Sequence, residues 1–426
     1  MTQQSTETRK IAEHLFRREA GRIVSTLTRV FGFDRIELAE DVVQEALLRA
    51  LQQWPFGGIP DNPPAWLMQV AKNRALDILR RERNFREKES DLAVEILHAH
   101  PQEHEHLFLE DEIQDDQLRM MFACCHPVLS QESQVTLTLK TLCGFSSAEI
   151  ARAFLTNEET INKRLVRAKQ RLRDVQIELE IPSGKELTAR FDAVLQALYL
   201  LFNEGYKASH GDDLIRKELS DEAIHLTRVL VNHPSGQTPP AFALLALMLL
   251  HTARFPARVD DRGDLLLLKN QDRSLWDKNM IVEGLAYLDR SADGDRVTEY
   301  HLQAGIAACH CLAHNYDATD WKRILLLYDM LLQVNDSPVV LLNRAVALSK
   351  VNGAEAGIAA IEDIRNRKPL DSYYLLYAAL GELYFELQQY EESARHFRKA
   401  LELTNVRSEQ AFLNRKLEDL SHINFN

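Results

Sequence analysis

"NEETINKRLVRAKQRLRD", residues 157–174, sets Lys163, Arg164, Arg167, Lys169, Arg171 and Arg173 within eleven positions of a chain whose formal net charge is −12. On a helix, Ile161, Leu165, Ala168 and Leu172 form one apolar stripe. Thr160, Lys163, Arg164, Arg167 and Arg171 form a second stripe, expected to face outward. Asn157 is placed to cap this helix, and Glu158 and Glu159 suit the positive end of its dipole. Just upstream, "SSAEIARAFLT" predicts another helix, capped by Ser146 or Ser147 with Glu149 near the capping-box position. Its inward residues are Ile150, Ala151 and Phe154. Two helices joined by a short turn, the second of them basic, make a helix-turn-helix, whose second helix lies in a major groove. Lys and Arg there neutralise phosphates and donate to guanine O6 and N7.

Outward from this stretch the charge is segregated. Residues 72–88 carry seven basic and three acidic side chains, whereas residues 89–116 carry ten acidic and no basic ones. The reading is two basic modules joined by a mobile acidic linker. The linker histidines His98, His100, His104 and His106 lack an apolar frame that would hold them as metal ligands.

In the first module, "IELAEDVVQEALLRALQQW" predicts a helix with Ala39, Val42, Val43, Ala46, Leu47 and Ala50 inward and Asp41, Gln44 and Glu45 outward. "WPFGGIPDNPP" then breaks the chain. Asp61 or Asn62 caps the next helix, and Pro63 and Pro64 occupy first-turn positions that tolerate a missing N–H. That helix buries Leu67, Val70, Ala71, Ala75, Ile78 and Leu79, and turns Lys72, Asn73, Arg80 and Arg83 the other way. Trp66 at its start reads as a core anchor.

"EDVVQEALLRAL" and "PAWLMQVAKNRALDILRRERN" resemble region 2 of bacterial sigma-70-type factors of the extracytoplasmic-function group. "VTLTLKTLCGFSSAEIARAFLTNEETINKRLVRAKQRLR" resembles their region 4. The resemblance implies that region 2 docks on the clamp helices of core RNA polymerase through Asp41, Gln44 and Glu45. It implies that the loop containing Asn62 captures a flipped base of the −10 element, with Asn73, Arg74, Asp77, Arg80 and Arg81 along the adjacent helix. Region 4 would read the −35 element of promoter DNA through Thr160, Lys163, Arg164 and Arg167, with Arg171 on the same stripe. Positive charge is then expected only where promoter DNA lies. Asp77 has a second reading, as the partner of Arg74 or Arg81 on its own helix.

Beyond the "IPSGKE" breaker the chain continues for some 240 residues. "YAALGELYFELQQYEESARHFRKALEL" places Leu380, Gly381, Tyr384, Tyr390, Phe397 and Ala400 at the spacing of a tetratricopeptide repeat. Gly381 would let paired helices approach, with Phe397 and Ala400 filling the space between them. One repeat earlier, Val346 and Ala347 fit the pattern and Lys350 and Asp363 do not. The segments "ALYLLFNEGYKAS", "AFALLALMLLHTAR" and "DDRGDLLLLKNQDRSLWD" resemble the C-terminal extension of one subgroup of these factors. "VDDRGD" before "LLLL" is the one turn-and-strand candidate, and Asp260, Asp261 and Asp264 around Gly263 read as a polar turn rather than a cation site.

The expected fold class is all-α: two small helical sigma domains joined by an acidic linker, followed by a helical tetratricopeptide-like C-terminal domain. The expected boundaries are 8–88 for region 2, 89–112 for the linker, 113–178 for region 4, 186–290 for a helical extension and 291–426 for the tetratricopeptide-like part. The apolar runs read as too short to span a bilayer, and no export signal is expected at the N-terminus, so the expected compartment is the cytoplasm. The five cysteines form no CxxC pair and read as small core residues rather than disulfides or metal ligands. No catalytic constellation, cofactor motif or metal motif is expected. The partners implied are core RNA polymerase and promoter DNA, with the C-terminal domain regulating activity by contact with the sigma domains or with another protein. A helix-turn-helix regulator with a tetratricopeptide sensor is the alternative, since it needs only the second motif.

Overall fold

The computed structural model describes residues 16, 19–85, 110–154, 156–182, 184–206, 217–258, 260, 266–367 and 373–423. Residues 89–109 of the acidic linker, its histidines included, and Asp261, Gly263 and Asp264 lie outside these residues, whereas 110–112 are already helical. Regular structure among the described residues is helical throughout. The chain divides into two compact units, Met1–Leu201 and Phe202–Asn426.

In the first unit, α1 (19–31), α2 (Ile36–Gly57) and α3 (Pro63–Phe85) enclose a core of Ile23, Leu27, Val42, Val43, Ala46, Leu67 and Ala71. Each fully buried Ile or Leu in it contributes about 1.5–3 kcal/mol. α2 ends where Pro55 is followed by Gly57 and Gly58, the latter at φ 82°, a conformation glycine adopts without strain. Asn62 starts α3, its Oδ1 accepting from the Ala65 amide at 3.1 Å. Trp66 is a core anchor, set edge-on against Trp54 with centroids 5.6 Å apart.

α4 (Glu110–Cys124), α5 (Gln131–Thr141), α6 (Ser147–Ala153) and α7 (Glu158–Asp174) follow in the same unit. Cys124, Cys125 and Cys143 are buried free thiols, and burial pushes the Cys125 thiol up to about 12. α1 lies hard against the end of α5: a Cβ on Gly21 would sit 1.8 Å from the Leu142 carbonyl oxygen. α8 (Gly184–Tyr206) leads into the second unit.

The second unit is organised by α10 (Pro239–Thr252), which follows α9 (Lys217–Asn232) and packs on α11 (Lys278–Arg290) and α12 (Glu299–Leu312). The expectation that the apolar runs are too short for a bilayer needs correcting. Pro239–Ala257 reaches nineteen residues at mean hydropathy 1.3, long and apolar enough by length and composition. Its apolarity has a local cause, because 83% of that window is buried inside the fold.

α13 (Trp321–Val334), α14 (Pro338–Asn352), α15 (Ala354–Arg367), α16 (Tyr374–Glu386), α17 (Tyr390–Leu403) and α18 (Arg407–Ile423) then pack each on the next. At the α16–α17 crossing a Cβ on Gly381 would lie 2.6 Å from the Phe397 ring, so only glycine permits this approach. The Ser393 hydroxyl donates to the Gly381 carbonyl at 2.8 Å in the same place. The α14–α15 pair forms as well, burying Ile358, Ile361 and Ile364, although its sequence departs from the repeat pattern. The strand expected over the leucine run is absent among the described residues. Leu268–Asn270 is a single 3-10 turn, and Lys269 pairs with Glu382 of α16 at 3.1 Å, so this segment lies on helices and not beside another strand.

Candidate nucleic-acid and polymerase interfaces

α6 and α7 form the helix-turn-helix by local capping. The Ser146 amide donates to Glu149 Oε2 at 2.8 Å, and the Glu149 amide donates to Ser146 Oγ at 3.2 Å, completing a capping box. Asn157 Oδ1 accepts from the Thr160 amide at 2.8 Å and starts α7. The two helices are tied where the Ser147 hydroxyl donates to Asn162 Oδ1 at 2.6 Å. Ile161, Leu165, Ala168 and Leu172 are all buried, as their spacing predicts.

The six cations of α7 divide into three groups. Lys163 and Arg167 are exposed; Lys163 pairs within the helix with Glu159 at 2.6 Å, and Arg167 has no partner among the described residues. Arg164 turns toward α5, donating to Glu132 at 2.8 Å and Thr136 at 3.3 Å, and Arg171 reaches the Val128 carbonyl at 3.5 Å. Lys169 and Arg173 face the other way. Lys169 is buried and pairs with Glu40 of α2 at 2.6 Å, and Arg173 pairs with Glu37. Positive charge is therefore not confined to a DNA-facing surface, because two of the six cations bind the first module's own carboxylates. Regions expected as separate modules thus pack on each other within one unit. A second contact supports this arrangement: the fully buried Asp116 of α4 pairs with Arg29 of α1 at 2.5 Å and Arg119 at 2.8 Å.

The outward row of α7 is consequently Glu158, Glu159, Asn162, Lys163, Val166 and Arg167, which together line one shallow surface depression. Asn162 and Val166 escaped the sequence reading, which followed charge. Val166 is 68% exposed, and an apolar residue on the polar face of so basic a helix was the available signal.

On α2, Asp41 and Gln44 are exposed as expected. Glu45 is half-buried and accepts from Arg74 of α3 at 2.5 Å; this hydrogen bond, helped by the charge of Arg74, holds its carboxyl below the usual range. One expected polymerase contact and one expected DNA contact therefore engage each other. The row continues with Leu48 and Leu51, 57% and 50% exposed, an apolar surface that the sequence reading passed over. In the loop before α3, Ile59 is 56% exposed while Asn62 is engaged as a cap. Along α3, Asn73 accepts from Gln69 at 2.9 Å, Asp77 and Arg80 lie 3.8 Å apart, and Arg81 is exposed without a partner among the described residues. No cluster of metal-ligating side chains occurs among the described residues.

Known families map onto this geometry. Residues 15–85 match Sigma-70 region 2, and residues 119–172 match Sigma-70 region 4. Residues 190–292 match a family of unknown function, DUF6596. The chain is 37% identical over 401 residues to an uncharacterized protein of Rhizobium meliloti (strain 1021), with 91% of each chain covered. With the helix-turn-helix inside the second match and the exposed face of α2 inside the first, the chain belongs to the sigma-70 family of RNA polymerase sigma factors.

Proposed function

We propose that this sigma factor is of the extracytoplasmic-function type, that it recruits core RNA polymerase in the cytoplasm, and that it reads −35 and −10 promoter elements without itself catalysing a reaction. The observation that carries the reading is the exposed row Asn162, Lys163, Val166 and Arg167 on a capped second helix. Arg167 and Lys163 suit guanine edges, Asn162 suits adenine, and Val166 suits a thymine methyl. Thr160, Arg164 and Arg171 flank that row and would take phosphates. Asn62, Asn73, Arg74, Asp77, Arg80 and Arg81 remain the proposed −10 surface. Asp41, Gln44 and Glu45, now joined by Leu48 and Leu51, form the proposed polymerase surface.

The pairing of Lys169 with Glu40 bears on mechanism. Elements about 25 base pairs apart lie about 85 Å apart along B-DNA at 3.4 Å per pair, so one sigma unit cannot engage both while α2 and α7 touch. The packed arrangement is then the free form, and recruitment separates its halves. The C-terminal helical region, tetratricopeptide-like in its α16–α17 pair, regulates that step in this reading.

Run-off transcription with core polymerase, the full-length protein and a randomised promoter library tests the proposal. Arg167→Ala and Asn162→Ala should each cost about 1–3 kcal/mol at the base they read, with polymerase association unchanged. Absence of any sigma-dependent transcript, or selection of the same promoters with equal strength by both variants, would overturn it.

A further inference from the structure

Within the second unit, a cavity of about 440 Å³ lies between the helices and the segment Leu267–Lys269. Its walls are mainly rings and small aliphatic groups: Trp321 and Tyr328 from α13, Val346 from α14, Tyr374 and Ala378 from α16, and Phe412 from α18. Leu267 and Leu268 border its other side, on a segment held by Lys269 to Glu382 at 3.1 Å. This size and composition are those of a small-molecule site.

The charges at the cavity restrict what enters it. Glu382 is neutralised by both Lys269 and Lys416, Glu386 by Lys350, and Glu409 accepts from the hydroxyls of Tyr374 and Thr404. A charged guest would have to disrupt one of these pairs or lose its hydration without compensation. His310 adds no charge: burial, reinforced by Arg254 and Arg273, lowers it to about 3 and keeps the imidazole neutral. Two kinds of group remain open to a guest. The aromatic faces and edges offer stacking, and the Tyr328 hydroxyl, Trp321 indole N–H and Asn343 amide have no hydrogen-bond partner among the described residues.

We propose that this cavity binds an uncharged, mainly apolar small molecule with a ring system and one or two hydrogen-bonding groups. None of its lining residues belongs to the proposed promoter or polymerase surfaces, so the two proposals stand or fall separately.

The test uses the full-length protein and two dyes of similar shape, neutral N-phenyl-1-naphthylamine and anionic 8-anilinonaphthalene-1-sulfonate, followed by energy transfer from tryptophan. The neutral dye should bind saturably, one per chain, at least tenfold more tightly than the anion. Ala378→Phe and Val346→Phe each fill the cavity and should weaken binding at least tenfold without lowering the melting temperature; if one variant melts early, the other supplies the reading. Trp321→Phe should keep a dye site but reduce the energy transfer. Lack of saturable binding, equal affinity for the anion, or undiminished binding to both filled variants would overturn the proposal. Displacement of the dye by a peptide of residues 264–271, with no small neutral competitor effective, would make the cavity a chain-binding groove and overturn the ligand class.

Discussion

Lys169 lies in the middle of the basic helix with 8% of its side chain exposed, and its partner Glu40 with 15%. Removing one member of such a pair leaves a desolvated charge, so Lys169→Met should cost about 3–5 kcal/mol in the unfolding of the first unit. The double variant Lys169→Met with Glu40→Leu should recover most of that loss, since an apolar pair of similar volume is often neutral. Denaturant unfolding measures both, and a single-variant cost below about 1 kcal/mol would show the pair to be solvated. A second residue-scale effect concerns acid. His310 titrates at about 3 in the fold against an ordinary 6.5, so the unfolded chain binds a proton that the folded chain refuses between those values. Its contribution is intact above pH 6.5 and is lost as the pH falls, at up to about 1.4 kcal/mol per pH unit. His310→Phe should flatten the decline in stability between pH 6.5 and 4 by one proton's worth; an unchanged slope would show the imidazole to be open to water.

On α2 the outward row of Asp41, Gln44, Leu48 and Leu51 lies away from the core stripe. Gln44→Ala combined with Leu48→Ala should therefore reduce association with core polymerase while the melting temperature stays within a degree or two. Undiminished capture of core enzyme would place the contact elsewhere. The buried stripes of α2, α3 and α7 were legible because apolar spacing directly reports a packed face. Caps were legible too, at Asn157, Asn62 and the Ser146–Glu149 box, since they depend on neighbours in sequence. What the sequence concealed was partner choice. Nothing local to Lys169 or Arg173 distinguishes a cation that meets Glu40 or Glu37 from one that meets a phosphate, because the partners lie over a hundred positions away. The same holds for Glu45 and Arg74, which look outward on their own helices and meet across α2 and α3. The leucine run misled for a related reason: apolar residues on helices and in strands look alike when the run is short.

At the scale of the molecule, the first unit is closed on itself, and the proposed promoter complex requires it to open. Labels at the exposed Gln69 of α3 and Gln170 of α7 should report a short distance in the free protein and a much longer one after core polymerase and promoter DNA are added. An unchanged distance in the transcribing complex would mean that both elements are read without opening. The close approach of Gly21 to Leu142 and the Lys169–Glu40 pair have a further consequence, for inheritance. Region 4 of this protein is not a cassette that can be exchanged for another factor's, because its basic helix α7 also pairs with carboxylates of region 2. A chimera carrying a foreign region 4 would need its own cation opposite Glu40 and its own clearance for α1. Drift on either side of the contact is therefore constrained by the other, and changes at positions 40 and 169 should be tolerated together and not one at a time.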